Sequence, residues 1–261
     1  MTKLIVCGVF GRMGRAVCEL ARDDNDVTVA AGVVRKLGGE NTEFPVFVSV
    51  SDVDIEADCV VSFLPPSAHK ESLQMLDYCM SKKKPAVICT TGLSETVLEK
   101  IQKASKCIAI IHSANMSYGI GVLTDFLQWA AKRLYDEGFD IEIVESHHNK
   151  KLDAPSGTAL VLYDAVNSAL ESPLELACDR SQRNGARARG EMGIQTVRGG
   201  GIFGEHKVLF AGAHETIEIT HNALGREVFA DGAIKAAKCL VGKPPGLYKR
   251  PTLNSPSYTI Q

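Results

Sequence analysis

The sequence predicts an α/β protein in two parts. One is a Rossmann-like domain on a parallel sheet. The other is an α+β domain for substrate binding and oligomerisation, on a mostly antiparallel sheet. Three observations carry this reading. Short apolar runs alternate with helical patterns up to residue 116, as strands buried on both faces require. The first run leads straight into a glycine triplet, Gly8, Gly11 and Gly14. Past that point the strand-like stretches alternate apolar with polar residues, the pattern of half-buried strands. The expected boundaries are 1–116 with 227–261 for the dinucleotide-binding domain and 117–226 for the second.

Residues 4–7 form the first apolar strand. Gly8-Val9-Phe10-Gly11-Arg12-Met13-Gly14-Arg15 follows, then a helical pattern over 16–22 and a second strand over 27–34. Strand, glycine turn, helix, strand is the opening of a dinucleotide-binding fold. Gly8 permits the tight turn, Gly11 lets backbone N–H groups approach a pyrophosphate, and Gly14 lets helix and sheet pack closely. Such triplets also occur in turns that bind nothing, but the place after the first strand favours a nucleotide. The ribose reader belongs at the end of the second strand. Val34 stands where an acid would mark NAD, and Arg35 and Lys36 come next. A guanidinium there suits a ribose 2′-phosphate, which points to NADPH. The rival reading of Arg35 and Lys36 is two solvated charges.

Residues 59–64 read as a third strand ended by Pro65-Pro66, and 67–80 as a helix. A fourth strand over 85–89 is closed by Thr90-Thr91-Gly92. A helix over 94–105 has Ser94 as its candidate cap. A fifth strand over 106–111 runs into Ser113-Ala114-Asn115-Met116. Ligands gather at the carboxyl ends of parallel strands, so Thr90, Thr91, Ser113 and Asn115 are placed to touch cofactor or substrate. The same residue types also make ordinary turns.

Residues 122–135 form a helix carrying the only tryptophan, Trp129. A strand over 139–144 and a helix over 159–170 follow, then an irregular Arg- and Ser-rich stretch over 172–189. Residues 194–197, 207–210 and 215–221 alternate like antiparallel strands, with Gly199-Gly200-Gly201 as a flexible turn. Leu224-Gly225-Arg226 leads into a last helix over 228–240, expected to return to the first domain. The Pro-rich tail from Lys243 is expected to lie extended on the surface.

Chemistry concentrates between the 139–144 strand and the 159–170 helix. There stand Glu145-Ser146-His147-His148-Asn149-Lys150-Lys151-Leu152-Asp153-Ala154-Pro155-Ser156-Gly157-Thr158. A helix entry exposes unpaired N–H groups and a positive dipole end, which Ser156 or Thr158 can cap. Two imidazoles and two ammonium groups beside it point to a small polyanion, a carboxylate. Imidazole moves protons near neutrality, and a desolvated lysine can act as an acid. On an extended segment His147 and His148 point to opposite sides, as do Lys150 and Lys151. Metal binding is the rival reading, but adjacent histidines lack the helical i, i+4 spacing and the lysines repel a cation. A basic surface loop is the blander rival.

Composition excludes several classes. The 261 residues are 45% hydrophobic and 23% charged with net charge -2, so no overall field draws the chain to nucleic acid or membrane. No run is long enough to span a bilayer, and the start at Met1-Thr2-Lys3 leads to the expectation of no signal peptide. The eight cysteines form no CxxC pair, which reads as reduced core thiols in a cytoplasmic protein. The plastid stroma is the alternative if a transit peptide has been removed.

The central stretch resembles the signature of the 4-hydroxy-tetrahydrodipicolinate (dihydrodipicolinate) reductase family, roughly E-x-H-H-x-x-K-x-D-x-P-S-G-T-A. Glu145, His147, His148, Lys151, Asp153, Pro155, Ser156, Gly157, Thr158 and Ala159 all match. The nucleotide loop, Thr90-Thr91-Gly92, Ala114-Asn115, Val197 to His206, and Ile219-Thr220-His221 with Arg226 extend the likeness over most of the chain. The resemblance implies hydride delivery from NADPH (preferred) or NADH to a cyclic dicarboxylate held at 147–158, giving tetrahydrodipicolinate in lysine and diaminopimelate synthesis. It implies His147 and Lys151 as the proton-handling residues, and His148, Ser156, Gly157, Thr158 and Arg226 as substrate-binding. It implies a nucleotide held by Gly8, Val9, Phe10, Gly11, Arg12 and Met13, by Arg35, by Cys89, Thr90 and Thr91, and by Ser113, Ala114, Asn115 and Met116. A homotetramer and no metal complete the expectation. The departures all touch cofactor choice: bulky Phe10, Val34 in place of an acid, and Leu64-Pro65-Pro66 where a polar residue is common. Two rivals are a Rossmann oxidoreductase for another small acid and a catalytically silent nucleotide sensor. The intact His-His and Pro-Ser-Gly-Thr signature opposes both.

Overall fold

The computed structural model describes residues 1–39, 41–181 and 184–249. Along the chain run β1 (Thr2–Cys7), α1 (Arg12–Arg22), β2 (Val27–Val33), β3 (Val46–Phe47), β4 (Cys59–Ser62), α2 (His69–Lys82), β5 (Ala86–Ile88), α3 (Glu95–Ser105) and β6 (Ala109–His112). Then come α4 (Tyr118–Asp136), β7 (Asp140–His147), α5 (Gly157–Asn167), β8 (Glu175–Ala177), β9 (Glu191–Arg198), β10 (Gly204–Ala211), β11 (Thr216–Ala223), α6 (Glu227–Leu240) and β12 (Gly246–Tyr248). Two compact units result. One comprises Met1–Tyr118 with the chain from Arg226 onward, the other Gly119–Gly225.

In the N-terminal unit seven parallel strands lie in the order β12-β6-β5-β4-β1-β2-β3. The order reverses between β1 and β4, the switch point at which such sheets bind nucleotides. Apolar side chains cover both faces. Leu4, Val6, Val61 and Ile111 pack under α1 and α6, while Ile5, Val60 and Ile110 pack under α2 and α3. Two strands of this sheet lay outside the sequence reading, as did β8 of the other unit, which falls in the stretch over 172–189 expected to be irregular. β3 has only two residues and so no readable period. β12 falls in the tail expected to lie on the surface; instead it pairs with β6, and Tyr248 is buried with its hydroxyl donating to the Pro244 carbonyl at 2.9 Å. The rest of that tail, 250–261, lies outside the described residues.

In the C-terminal unit the sheet order is β11-β10-β7-β9-β8. β10 runs antiparallel to β11 and β7, whereas β9 runs parallel to β7 and β8. The antiparallel pairing expected holds for β7, β10 and β11, while β9, also expected antiparallel, makes that end of the sheet parallel. Parallel neighbours need a crossover, and the α5 connection after β7 supplies one; period-two alternation alone cannot report strand direction. Ile141, Ile143, Met192, Ile194, Val208 and Phe210 bury one face against Leu123 and Leu127 of α4 and Ala159 and Leu162 of α5. That packing fixes the end of β7 and the start of α5, where the chemistry lies.

Candidate active site

The cluster begins with strand parity. Glu145 and His147 are two apart on β7 and share a face. Glu145 is fully buried, and His147 is 9% exposed. The His147 Nδ1 lies 2.5 Å from Glu145 Oε2. A carboxylate can only accept, so Nδ1 carries the proton and Nε2 is the nitrogen left for chemistry. Nε2 faces Gly204, where a Cβ would stand 3.2 Å away. Glycine leaves that edge of the ring uncovered.

Three further groups hold Glu145. Arg198, the last residue of β9, grips it with Nη1 at 2.9 Å to Oε2 and Nη2 at 2.8 Å to Oε1. The Thr196 hydroxyl and the Ser156 N–H each donate to Oε1 at 3.1 Å. Burial pushes its carboxyl pKa upward, but Arg198, His147 and Thr196 outweigh that and hold it at about 2. Burial lowers the pKa of His147, with Glu145 partly opposing. The imidazole is therefore held neutral, yet beside a fixed anion that can balance a proton.

Arg198 also reaches the loop. Its Nη2 donates to the Asp153 carbonyl at 2.7 Å, and the Asp153 carboxylate meets the Lys151 Nζ at 2.8 Å. The Asp153 side chain is 59% exposed, so this ion pair is a weak tether that a ligand carboxylate can replace. The Lys151 N–H donates to the His148 carbonyl at 3.2 Å, and the half-buried His148 accepts at Nδ1 from the Lys150 N–H at 3.2 Å.

The loop closes on α5. Ser156 is its N-cap, accepting from the Ala159 N–H at 3.2 Å, and its Oγ lies 2.8 Å from His206 Nε2. Ser156 was expected among the substrate-binding residues. Both its polar groups are engaged inside the protein, so it serves as cap and anchor for the helix entry. Gly157 has open space around its Cα, and the first turn of α5 holds no acid. The positive dipole end of this helix is therefore not offset by an acid of its own, an arrangement that can favour a carboxylate.

His206 has no place in the expected site. Its ring meets His147 edge-on, with centroids 5.1 Å apart. Burial and the neighbouring His147 hold its pKa down at about 4. Arg198, Thr196 and His206 were all readable as residues, but the signal that recruits them is register. Thr196 and His206 sit opposite Glu145, and Arg198 opposite His147.

On the N-terminal unit, Gly8 ends β1 at φ 81°, which only glycine adopts freely. Gly11 is the N-cap of α1 with no side-chain cap. The helix therefore starts at Arg12, four residues before the expected start. This puts the Arg12 and Met13 amides in its open first turn. A Cβ on Gly14 would lie 2.3 Å from the Gly8 carbonyl oxygen, so the glycine is needed for helix and loop to meet. Arg15 Nε holds the Phe10 carbonyl at 2.9 Å; Val9 is buried and Phe10 partly so.

A cleft of about 140 Å³ beside this loop is lined by Gly8, Arg35, Ser49, Leu64, Pro65 and Glu71, among others. The ends of β5 and β6 carry the remaining expected residues. Burial raises the Cys89 thiol pKa; Thr90 is buried and donates to the Leu64 carbonyl at 2.7 Å, and Thr91 is exposed. Ser113 donates to the Asn115 carbonyl at 2.7 Å, Asn115 accepts from the Ser117 N–H at 2.8 Å, Ala114 is exposed and Met116 buried. The glycine loop, the open α1 entry without acids and the cleft at the switch point fit a dinucleotide. Arg226 is the N-cap residue of α6, without a side-chain cap hydrogen bond, and belongs to this unit. Among the described residues no group of His, Cys, Asp or Glu could hold a metal ion, and no helix is long and apolar enough to cross a membrane.

A dinucleotide fold joined to a unit bearing a buried acid–base pair and a helix entry free of acids defines a nucleotide-dependent oxidoreductase of small acids. Residues 2–116 match the family of the dihydrodipicolinate reductase N-terminus and residues 119–252 that of its C-terminus. The chain belongs to the dihydrodipicolinate reductase family. It is 48% identical over 251 residues to a 4-hydroxy-tetrahydrodipicolinate reductase of Caldanaerobacter subterraneus, covering 95% of this chain and 96% of that one. To the enzyme of the same name from Clostridium tetani it is 45% identical over 248 residues, 95% of each chain. Among solved structures, a dipicolinate-bound dihydrodipicolinate reductase from Paenisporosarcina sp. TG-14 shares the fold. The TM-score is 0.78 at 22% identity, with 96% of this chain and 98% of that one covered.

Proposed function

We propose a division of labour for the reaction of this family between the two units. The chain is an oxidoreductase of lysine and diaminopimelate synthesis that reduces 4-hydroxy-tetrahydrodipicolinate to tetrahydrodipicolinate with NAD(P)H. The nucleotide, when bound, supplies the hydride. The α1 entry and glycine loop hold its pyrophosphate, with Thr90, Thr91, Ala114 and Asn115 beside the strand ends.

The acid is gripped in the C-terminal unit. One carboxylate sits on the Gly157 and Thr158 amides, with His148 alongside. Loss of the 4-hydroxyl as water gives the unsaturated ring, and a hydride delivered there would leave negative charge that must be protonated. Lys151 leaves Asp153 and donates that proton. His147 Nε2 exchanges protons with it or with the substrate, while Glu145 balances the imidazolium. The observation that carries this assignment is the His147–Glu145 contact: it leaves one defined nitrogen on a buried imidazole that feels the Lys151 ammonium.

Arg35 suits a 2′-phosphate, which supports a preference for NADPH. Glu71 lines the same cleft and suits a free ribose hydroxyl, so NADH is also accepted. The eight free thiols fit a reducing, cytoplasmic setting. A homotetramer is supported by the outer face of the five-stranded sheet, where Val144 and Leu209 are only half-buried and Val197 is 46% exposed. Sedimentation velocity would then report four times the 28.1 kDa chain; a monomer at micromolar concentration would refute the assembly. The reaction itself is tested by coupling the protein to the aldolase-like synthase that makes the substrate and following nicotinamide absorbance. Steady consumption is expected. Nucleotide that binds and is never consumed would favour a silent sensor.

A further inference from the structure

We propose that Arg198 is a positioning residue for both proton-handling side chains at once. This rests on the assignment of His147 and Lys151 above. One guanidinium makes the paired contacts to Glu145, the partner of His147, and donates to the carbonyl of Asp153, the partner of Lys151. The residues come from a strand end on β9, the end of β7 and the loop before α5, so no local sequence feature ties them together. The fork of Arg198 is the piece that does. Its bidentate grip fixes the plane of the Glu145 carboxylate, and that plane aims the Nδ1–H of His147 and so the direction of Nε2. Its third contact holds the backbone from which the Asp153 side chain reaches Lys151.

Lysine at this position keeps the charge but cannot span three acceptors on two segments with fixed geometry. Glutamine loses both charge and fork. The charged and titratable groups around His147 are Glu145 on its own strand, Arg198 on β9, His206 on β10 and Lys151 on the loop. Among them Arg198 opposes protonation of His147. Removing its charge moves the acid limb of the pH–rate profile to higher pH, whereas swapping it for lysine leaves the limb in place.

The experiment compares the full chain with Arg198→Lys and Arg198→Gln. Arg198→Lys should lower kcat roughly 10- to 100-fold, the scale of a misplaced catalytic group. Its acid limb should stay within a few tenths of a unit and its nucleotide affinity within about twofold, as expected when geometry alone is lost. Arg198→Gln should show a similar or larger loss with the limb moved upward. Ring nitrogen NMR of 15N-histidine-labelled, ligand-free protein, with His147→Asn to assign the signal, should find His147 in the Nδ1–H form in the parent. In Arg198→Lys a mixture of tautomers should appear. An unchanged kcat and unchanged tautomer in Arg198→Lys would overturn the proposal. The tautomer is read without turnover, so it judges Arg198 even if the parent fails to consume nucleotide, a result that would count against the reaction instead.

Discussion

His206 shows how one buried side chain writes a pH dependence into the protein. Its folded pKa of about 4 lies below the ordinary 6.5. Between those values the unfolded chain binds a proton that the folded one refuses. Stability is therefore intact above pH 6.5 and falls as the pH drops toward 4, by at most roughly 3 kcal/mol from this group. Urea midpoints at pH 7 and pH 4.5 should separate the parent from His206→Gln, with the variant losing less over that interval. Equal losses would mean that His206 is free to protonate in the folded state. At the nucleotide cleft, Arg35→Ala should raise KM for NADPH by about tenfold, one ion pair with phosphate, and leave KM for NADH nearly unchanged. Equal effects on the two would return Arg35 to a solvated charge. At this scale the candidate site is legible in the sequence as far as His147, His148, Lys151 and the Gly157-Thr158 entry, because these residue types cluster in one stretch. Arg198 and His206 were not, because they reach the cluster through strand register, which a lone sequence does not display. Ser156 stands in the same stretch, but its hydroxyl turns inward as a cap.

Elements decide what those residues can reach. The helix α1 begins at Arg12, and Gly14 lets its first turn sit on the Gly8 carbonyl. Gly14→Ala must push backbone against backbone, so it should cost about 1–3 kcal/mol and weaken nucleotide binding, read as a lower Tm together with a calorimetric Kd. A variant with parental values for both would show that the loop has room to spare. The apolar strands of the parallel sheet were legible because burial on both faces leaves continuous hydrophobic runs. Strand direction in the second sheet was not legible, since period two is shared by both senses. Strand β12 was hidden for another reason: three residues after a Gly-Lys-Pro-Pro stretch carry no periodicity, and only pairing with β6 reveals them.

For the molecule as a whole, the chain folds as two units with separate tasks. One presents a nucleotide loop at the switch point of a parallel sheet. The other sets the entry of α5 against the buried His147–Glu145 pair. The bipartite plan was visible in the change from apolar runs to alternating ones near residue 119. The central claim is that Lys151 delivers the proton which completes reduction of the gripped acid. The most direct measurement is the coupled nicotinamide assay on Lys151→Ala beside the parent, with nucleotide and pyridine-2,6-dicarboxylate binding measured by calorimetry on both. The account predicts that kcat falls by about 100-fold or more, the scale of a lost general acid, while nucleotide binding is retained. A variant that consumes nucleotide at the parental rate would contradict it.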